Sequence, residues 1–226
     1  MLHLQNYSNY ILQDINLSID KSLIILGHNG AGKSTLAKVL CGVIKSEVVS
    51  INGENLNSIA FHQRAQMLNY IPTKLDIFDQ YITMQEYLEL SNIQSRDITP
   101  IIEQLGISHL LNKTQISSGE ESLILMASAL IHGAKYTIFD EPTANLDPKR
   151  TIKLYQLLKN DSTIANKIII THDINLANKL GYEIVYLRDG RVVFHGSNQA
   201  FFEEQNLQSI FGDAIVKQND FYRVNL

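Results

Sequence analysis

Nine consecutive residues, Gly27-His28-Asn29-Gly30-Ala31-Gly32-Lys33-Ser34-Thr35, constrain the fold more than any other stretch of the chain. Gly27 and Gly32 enclose four residues and are followed by Lys33 and Ser34, which is the phosphate-loop pattern. Leu23-Ile24-Ile25-Leu26 reads as a buried strand running into Gly27, and residues 33–41 read as a helix closed by Gly42. That strand-loop-helix context is the one in which the pattern has a mechanism. Glycines let successive backbone N–H groups turn inward toward phosphate oxygens. The helix that follows points the positive end of its dipole at the same anion. Lys33 is placed to reach the β- and γ-phosphates, and the Ser34 hydroxyl to ligate Mg²⁺. A dinucleotide fingerprint is disfavoured, because it has no Lys-Ser pair. Residues 27–35 are therefore expected to bind a nucleoside triphosphate.

Elsewhere short apolar runs alternate with amphipathic stretches, the pattern of an α/β protein whose sheet is mostly parallel. Residues 48–51 read as a strand stopped by the turn pair Asn52-Gly53. From residue 72 to residue 132 helix signals dominate. Thr83 and Glu86 form a capping-box pair, Thr99-Pro100 opens a second helix that Gly106 closes, and residues 121–131 read as a third. The expected organisation is one domain with a helical lobe over about 72–132, inserted into an α/β core of about 1–71 and 133–226. That core resumes at the buried strand Tyr136-Thr137-Ile138-Phe139. Asp147-Pro148 opens a helix through residue 159, residues 167–170 read as a strand, and Asp173 caps the next helix. Asp189-Gly190 is a strong hairpin signal between strands at 183–187 and 191–195. Cys41 reads as a helix-interior core residue, since buried free cysteine behaves as a small hydrophobe.

The second chemical signal is Asp140-Glu141 at the end of the Tyr136 strand. Beside a phosphate loop, Asp140 is placed to hold Mg²⁺. Glu141 is placed to orient or deprotonate an attacking water. Asp140-Glu141-Pro142-Thr143, then Ala144-Asn145-Leu146-Asp147, then Thr171-His172-Asp173 resemble the nucleotide-binding domain of ABC transporters over most of the chain. The resemblance implies a P-loop NTPase (RecA-like) core with an antiparallel β subdomain and the inserted helical subdomain, and it implies ATP hydrolysis. It implies that Asp140 and Glu141 are the Walker B aspartate and catalytic glutamate, that Asp147 belongs to the D-loop, and that His172 is the switch histidine beside the γ-phosphate. The signature segment falls at Ile116-Ser117-Ser118-Gly119-Glu120. In the family its serine and second glycine, here Ser117 and Gly119, reach the γ-phosphate held by a partner's P-loop, so two ATP molecules are sandwiched in a dimer.

Three residues depart from the family pattern. Ser118 replaces a glycine, which restricts the backbone if that position needs positive φ. Glu120 replaces glutamine and is followed by Glu121, adding carboxylates near a triphosphate. In the Q-loop, Leu68-Asn69-Tyr70-Ile71-Pro72 is followed by Thr73 in place of glutamine. Tyr10 is the first choice for an adenine-stacking ring and Tyr7 the second, although either can equally be an ordinary strand tyrosine. Within the family, Gly190-Arg191-Val192-Val193-Phe194-His195-Gly196 followed by Leu207-Gln208-Ser209-Ile210-Phe211-Gly212 is similar to the importers of iron–siderophore, haem and vitamin B12.

Bulk properties narrow the setting. The net charge of -4 argues against a surface that holds nucleic acid by its phosphates. No apolar run approaches the about 20 residues that span a bilayer. The opening Met1-Leu2-His3-Leu4-Gln5-Asn6 lacks a signal-peptide pattern, and the lone cysteine suits a reducing compartment. The seven histidines show no metal-ligand spacing. The expectation is a cytoplasmic ATPase, peripheral on the inner membrane face, with a transmembrane permease, a substrate-binding protein and a second nucleotide-binding chain, identical or different, as partners. A soluble ABC-type ATPase that regulates a cytosolic assembly, and a degenerate half of a heterodimer, are the competing readings.

Overall fold

The computed structural model describes residues 1–75, 81–144 and 146–225. The chain opens with β1 (Leu2–Tyr7), β2 (Ile15–Ile19) and β3 (Leu23–Gly27), then α1 (Lys33–Leu40). Next come β4 (Val49–Ile51), β5 (Glu54–Asn55), α2 (Phe61–Met67) and β6 (Leu68–Ile71). Three helices follow: α3 (Met84–Ser91), α4 (Thr99–Leu105) and α5 (Ser118–His132). The chain then runs through β7 (Tyr136–Asp140), α6 (Pro148–Asn160), β8 (Asn166–Thr171), α7 (Ile174–Leu180), β9 (Glu183–Arg188) and β10 (Arg191–Gly196). It ends with α8 (Asn198–Phe201), α9 (Glu204–Phe211), β11 (Ile215–Gln218) and β12 (Phe221–Val224).

The central sheet has the order β10-β9-β3-β8-β7-β6. Its five strands from β9 to β6 are parallel, and β10 pairs antiparallel at the edge. Every residue of β3 and β7 is buried, as a strand covered on both faces requires. Alternation along β3 sorts the core: Leu23 and Ile25 join one apolar cluster, Ile24 and Leu26 the other. The first cluster is closed by α1 and the antiparallel sheet β2-β1-β4-β5, the second by α3 to α9. This is the expected α/β, phosphate-loop architecture. Because β3, β8 and β7 are neighbours and parallel, the loops leaving their C-terminal ends share one edge of the sheet. In open α/β sheets that edge is where ligands bind.

Most sequence signals land where the structure has elements. Asn52 and Gly53 both take positive φ and join β4 to β5, as their hairpin pairing predicts. Thr83 and Glu86 close a capping box on α3. Helix α5 begins three residues earlier than expected, because Ser117 and Glu120 cap it and draw Ser118 and Gly119 into its first turn. Cys41 is corrected: it is the half-buried cap residue that ends α1, outside the helix interior. Helix α2, the pairing of β1 with β2, and the terminal hairpin β11-β12 had no clear signal. Among the described residues no helix is long and apolar enough to cross a membrane. Asn145, part of the Ala144-to-Asp147 motif, lies outside the described residues.

Candidate nucleotide site

Between β3 and α1 the phosphate loop is shaped by two glycines. A Cβ on Gly27 would sit 2.4 Å from the Leu187 carbonyl oxygen, so only glycine lets β9 approach this closely. Gly32 takes φ +99 at the helix cap, a left-handed position that a side chain strains. The hairpin turn after β9 packs on the loop as well, with the Gly190 N–H donating to the Ala31 carbonyl over 3.1 Å. The loop is thus held between neighbouring strands.

A cleft of about 280 Å³ opens at this edge, lined by Ile11, Asn29, Gly30, Gly32, Lys33, Ser34, Thr35, Thr73, Asp140 and Glu141. Gly27 and Ala31 are buried behind its wall. His28 turns its ring aside, with Nε2 3.3 Å from Asp189 Oδ1. Tyr10 is 90% exposed and does not line the cleft, whereas its neighbour Ile11 does. The Tyr7 hydroxyl accepts from the Asn9 side chain at 3.1 Å. Asn9 Oδ1 also accepts from the Ile11 and Leu12 N–H groups, a local turn that sets Ile11 against the cleft.

Lys33, Glu141 and His172 converge on one point. The Lys33 ammonium is buried and donates to the Gly27 and His28 carbonyls at 2.8 and 3.1 Å. Burial lowers its pKa, and the Glu141 and Asp140 charges work against that drop. Glu141 Oε1 lies 3.9 Å from Lys33 Nζ and 3.0 Å from His172 Nδ1. His172 follows β8 and Glu141 follows β7, so sheet order alone brings them together. Glu141 holds φ 50, a strained conformation for a residue with a side chain. Its N–H donates to the Ile170 carbonyl and its own carbonyl accepts from Ala144, which fixes the strain in place.

Asp140 is 4% exposed. Its Oδ2 accepts from the Tyr70 hydroxyl at 2.8 Å, while its Oδ1 is buried without a partner. An orphaned carboxylate oxygen costs free energy unless a ligand satisfies it. With the Ser34 hydroxyl on the same cleft, the donor set is hard oxygen, which fits magnesium. Among the described residues no cluster of three or more His, Cys, Asp or Glu forms a cation site. Tyr70 is the residue that sequence reasoning missed here; no spacing rule flags a strand tyrosine.

Ser117 caps α5, and the Glu120 carboxylate accepts from its N–H at 2.8 Å and its hydroxyl at 2.7 Å. Lys113 Nζ stands 3.4 Å from the other Glu120 oxygen. The Ser117 backbone N–H and then its hydroxyl, with Lys113 adding less, pull the Glu120 pKa down to about 2. The added carboxylate is therefore spent within its own helix turn. Ser118 is the first residue of α5 and is absent from the positive-φ positions, so replacing glycine there strains nothing. Gly119 is covered by the Arg150 guanidinium, and Arg150 Nε lies 3.5 Å from Asp147 Oδ2. Arg150 thus joins the Asp147 cap of α6 to the signature turn, a link the sequence did not announce.

Residues 12–144, which hold the phosphate loop, the Ser117 turn and Asp140-Glu141, match the family model described as ABC transporter. The chain belongs to the ABC transporter family. It is an ATPase cassette, and its nucleotide is ATP. It is 31% identical over 219 residues to the zinc import ATP-binding protein ZnuC of Haemophilus ducreyi, covering 93% of this chain and 79% of that one. The arginine transport ATP-binding protein ArtP of Haemophilus influenzae is 29% identical over 216 residues, with 86% and 89% covered. Among solved structures, a dimeric post-hydrolysis state of the ATP-binding cassette MJ0796 bound to ADP and Pi is similar with a TM-score of 0.73. That cassette is 26% identical, and 88% of this chain and 99% of that chain are covered.

Proposed function

We propose that this ABC cassette energises import of an iron chelate or similar metal-containing nutrient through a transmembrane permease supplied by another chain. It sits on the inner membrane face and receives cargo through a substrate-binding protein. The relatives described above are named for zinc import and arginine transport, which supports uptake of small nutrients. The Leu207-to-Gly212 phrase is what favours a chelated metal as cargo.

In this reading the backbone of residues 27–35 cradles the phosphates and Lys33 exchanges its carbonyl contacts for phosphate oxygens. Ser34 and Asp140 hold Mg²⁺, which neutralises charge developing on the phosphates. Glu141 orients the attacking water, and His172 holds Glu141 while facing the γ-phosphate. Tyr10, exposed beside the Ile11 wall of the cleft, is the ring assigned to cover an adenine that extends beyond it, and Thr73 occupies the Q-loop position on the cleft. Ser117, Ser118, Gly119 and Glu120 face the nucleotide of a second cassette, with Asp147 beside them.

One observation carries the reading: Glu141 Oε1 is bracketed by Lys33 and His172 at the mouth of the phosphate loop. Steady-state Mg²⁺-ATPase activity of the purified chain across protein concentration tests it. The rate per subunit rises with concentration, and Glu141→Gln lowers it by about 10²–10⁴-fold while ATP still binds. Full activity in Glu141→Gln sinks the assignment.

A second reading is favoured by the Glu120 contact, which occupies the Ser117 hydroxyl and N–H. The chain is then the weaker half of a heterodimer. Glu141→Gln chains that stay monomeric in ATP, but dimerise once Glu120→Gln is added, select it; dimerisation by Glu141→Gln alone removes it.

A further inference from the structure

Tyr70 lies on β6, the edge strand of the central sheet, in parallel register with β7: Tyr70 opposite Ile138 and Ile71 opposite Phe139. That register carries the Tyr70 side chain to the C-terminal end of β7, where Asp140 leaves the sheet. The ring is half-buried against the apolar cluster that includes α1, and its hydroxyl donates to Asp140 Oδ2 over 2.8 Å. Asp140 Oδ1 has no partner. One carboxylate oxygen is thus anchored from within the protein and the other is left over, on a residue that lines the phosphate cleft.

We infer that Tyr70 is a positioning residue for the nucleotide-bound cation: it pins Asp140 by one oxygen so that the other is presented to Mg²⁺. This rests on the reading that Asp140 serves the metal. A carboxylate with a single ligating oxygen and no second anchor is free to rotate about its terminal torsion, which is broad and roughly two-fold. A phenol is a suitable anchor, because it donates one hydrogen bond and, uncharged, leaves the carboxylate negative charge available to the cation. Partners of this outer kind typically govern metal affinity by about 10–100-fold.

The test is a Mg²⁺ titration of the full chain holding a fluorescent ATP analogue, on wild type, Tyr70→Phe and Asp140→Asn. For Tyr70→Phe the Mg²⁺ half-point rises about 10-fold or more. Its metal-free affinity for the analogue stays within about 2-fold of wild type, which also reports that the variant is folded. An unchanged half-point in Tyr70→Phe, with a raised one in Asp140→Asn, overturns the role of Tyr70 and leaves that of Asp140 standing. Unchanged half-points in both variants overturn the assignment of Asp140 to the metal as well. Equal weakening of metal-free and Mg²⁺-dependent binding in Tyr70→Phe also overturns the proposal, since it marks Tyr70 as a packing residue only.

Discussion

At the scale of single residues, the chain places its charges where local donors can satisfy them. Glu120 is the clearest case, because its carboxylate accepts from the Ser117 N–H and hydroxyl and stands near Lys113. Its folded pKa, about 2, lies below the ordinary 4.5, so the ionised form is the one that stabilises. That contribution is present above the ordinary value and is lost as pH falls from there through about 2. Glu120→Ala should therefore lower Tm by about 2–4 °C, the effect of losing about 1 kcal/mol of helix capping. The gap should stay constant from about pH 8 to pH 5 and close only below. Thermal unfolding against pH checks this. The dominant contact is a hydrogen bond to backbone and the lysine pair is exposed, so added salt should change the gap little. The phosphate loop and Asp140-Glu141 were legible because their chemistry fixes both residue type and spacing. Tyr70 and Arg150 were not, since each acts across the fold, from β6 to β7 and from α6 to α5, and such register has no local sequence mark.

At the scale of elements, strands with continuous apolar runs were readable and the terminal hairpin β11-β12 was not. Its residues are mostly exposed, with Tyr222 the buried exception, so no apolar alternation announces it. Besides the buried Tyr222 ring, Asn175 on α7 fastens it, its side chain donating to the Tyr222 carbonyl and accepting from the Tyr222 N–H at 2.9 and 2.8 Å. Asn175→Ala removes both bonds, each contributing about 1 kcal/mol. Amide exchange over residues 215–224 should accelerate while β3 and β7 stay protected, as hydrogen-exchange mass spectrometry reads directly. The neighbouring aromatic group behaves differently. Phe201 on α8 is fully buried and stacks on Tyr186, with edge contacts to Phe194, Phe202 and Phe211. Phe201→Ala should cost about 3–5 kcal/mol, measured by urea unfolding, and shift the whole transition. The hairpin reaches the second core cluster only through Tyr222 and Ile215, so it opens more readily than α8, whose Phe201 sits at the centre of the aromatic group.

At the scale of the whole molecule, the proposed dimer turns on where the Ser117 turn lies relative to the phosphate cleft. The cleft is lined by the phosphate loop with Asp140 and Glu141, while the Ser117 turn lies at the start of a different helix and is not among the lining residues. With the sandwich geometry implied by the family, activity should depend on the second power of chain concentration at the dilute end. Doubling the concentration there should raise the total rate about 4-fold, and the rate per subunit about 2-fold. A total rate strictly proportional to concentration over the whole range would mean that one chain suffices. The α/β class, the phosphate loop and the helical insertion between β6 and β7 could be read from sequence, because each leaves a contiguous pattern. The face that meets a partner is given only by what the family resemblance implies for Ser117 and Gly119, because association depends on surfaces assembled from residues far apart in the chain.

The placement of β3 also sets a timetable for synthesis. Its two neighbours are β8 and β9, so the strand that carries the phosphate loop has no sheet partner until the last third of the chain exists. Gly27 must wait for Leu187, roughly 160 residues later, for the wall against which it closes. At typical elongation rates of about 5–20 residues per second, that wait is roughly 8–32 s. A nascent chain arrested before β9 should therefore be unable to retain nucleotide, however complete its motifs are, and its apolar β3 is a ready client for a chaperone at the ribosome exit.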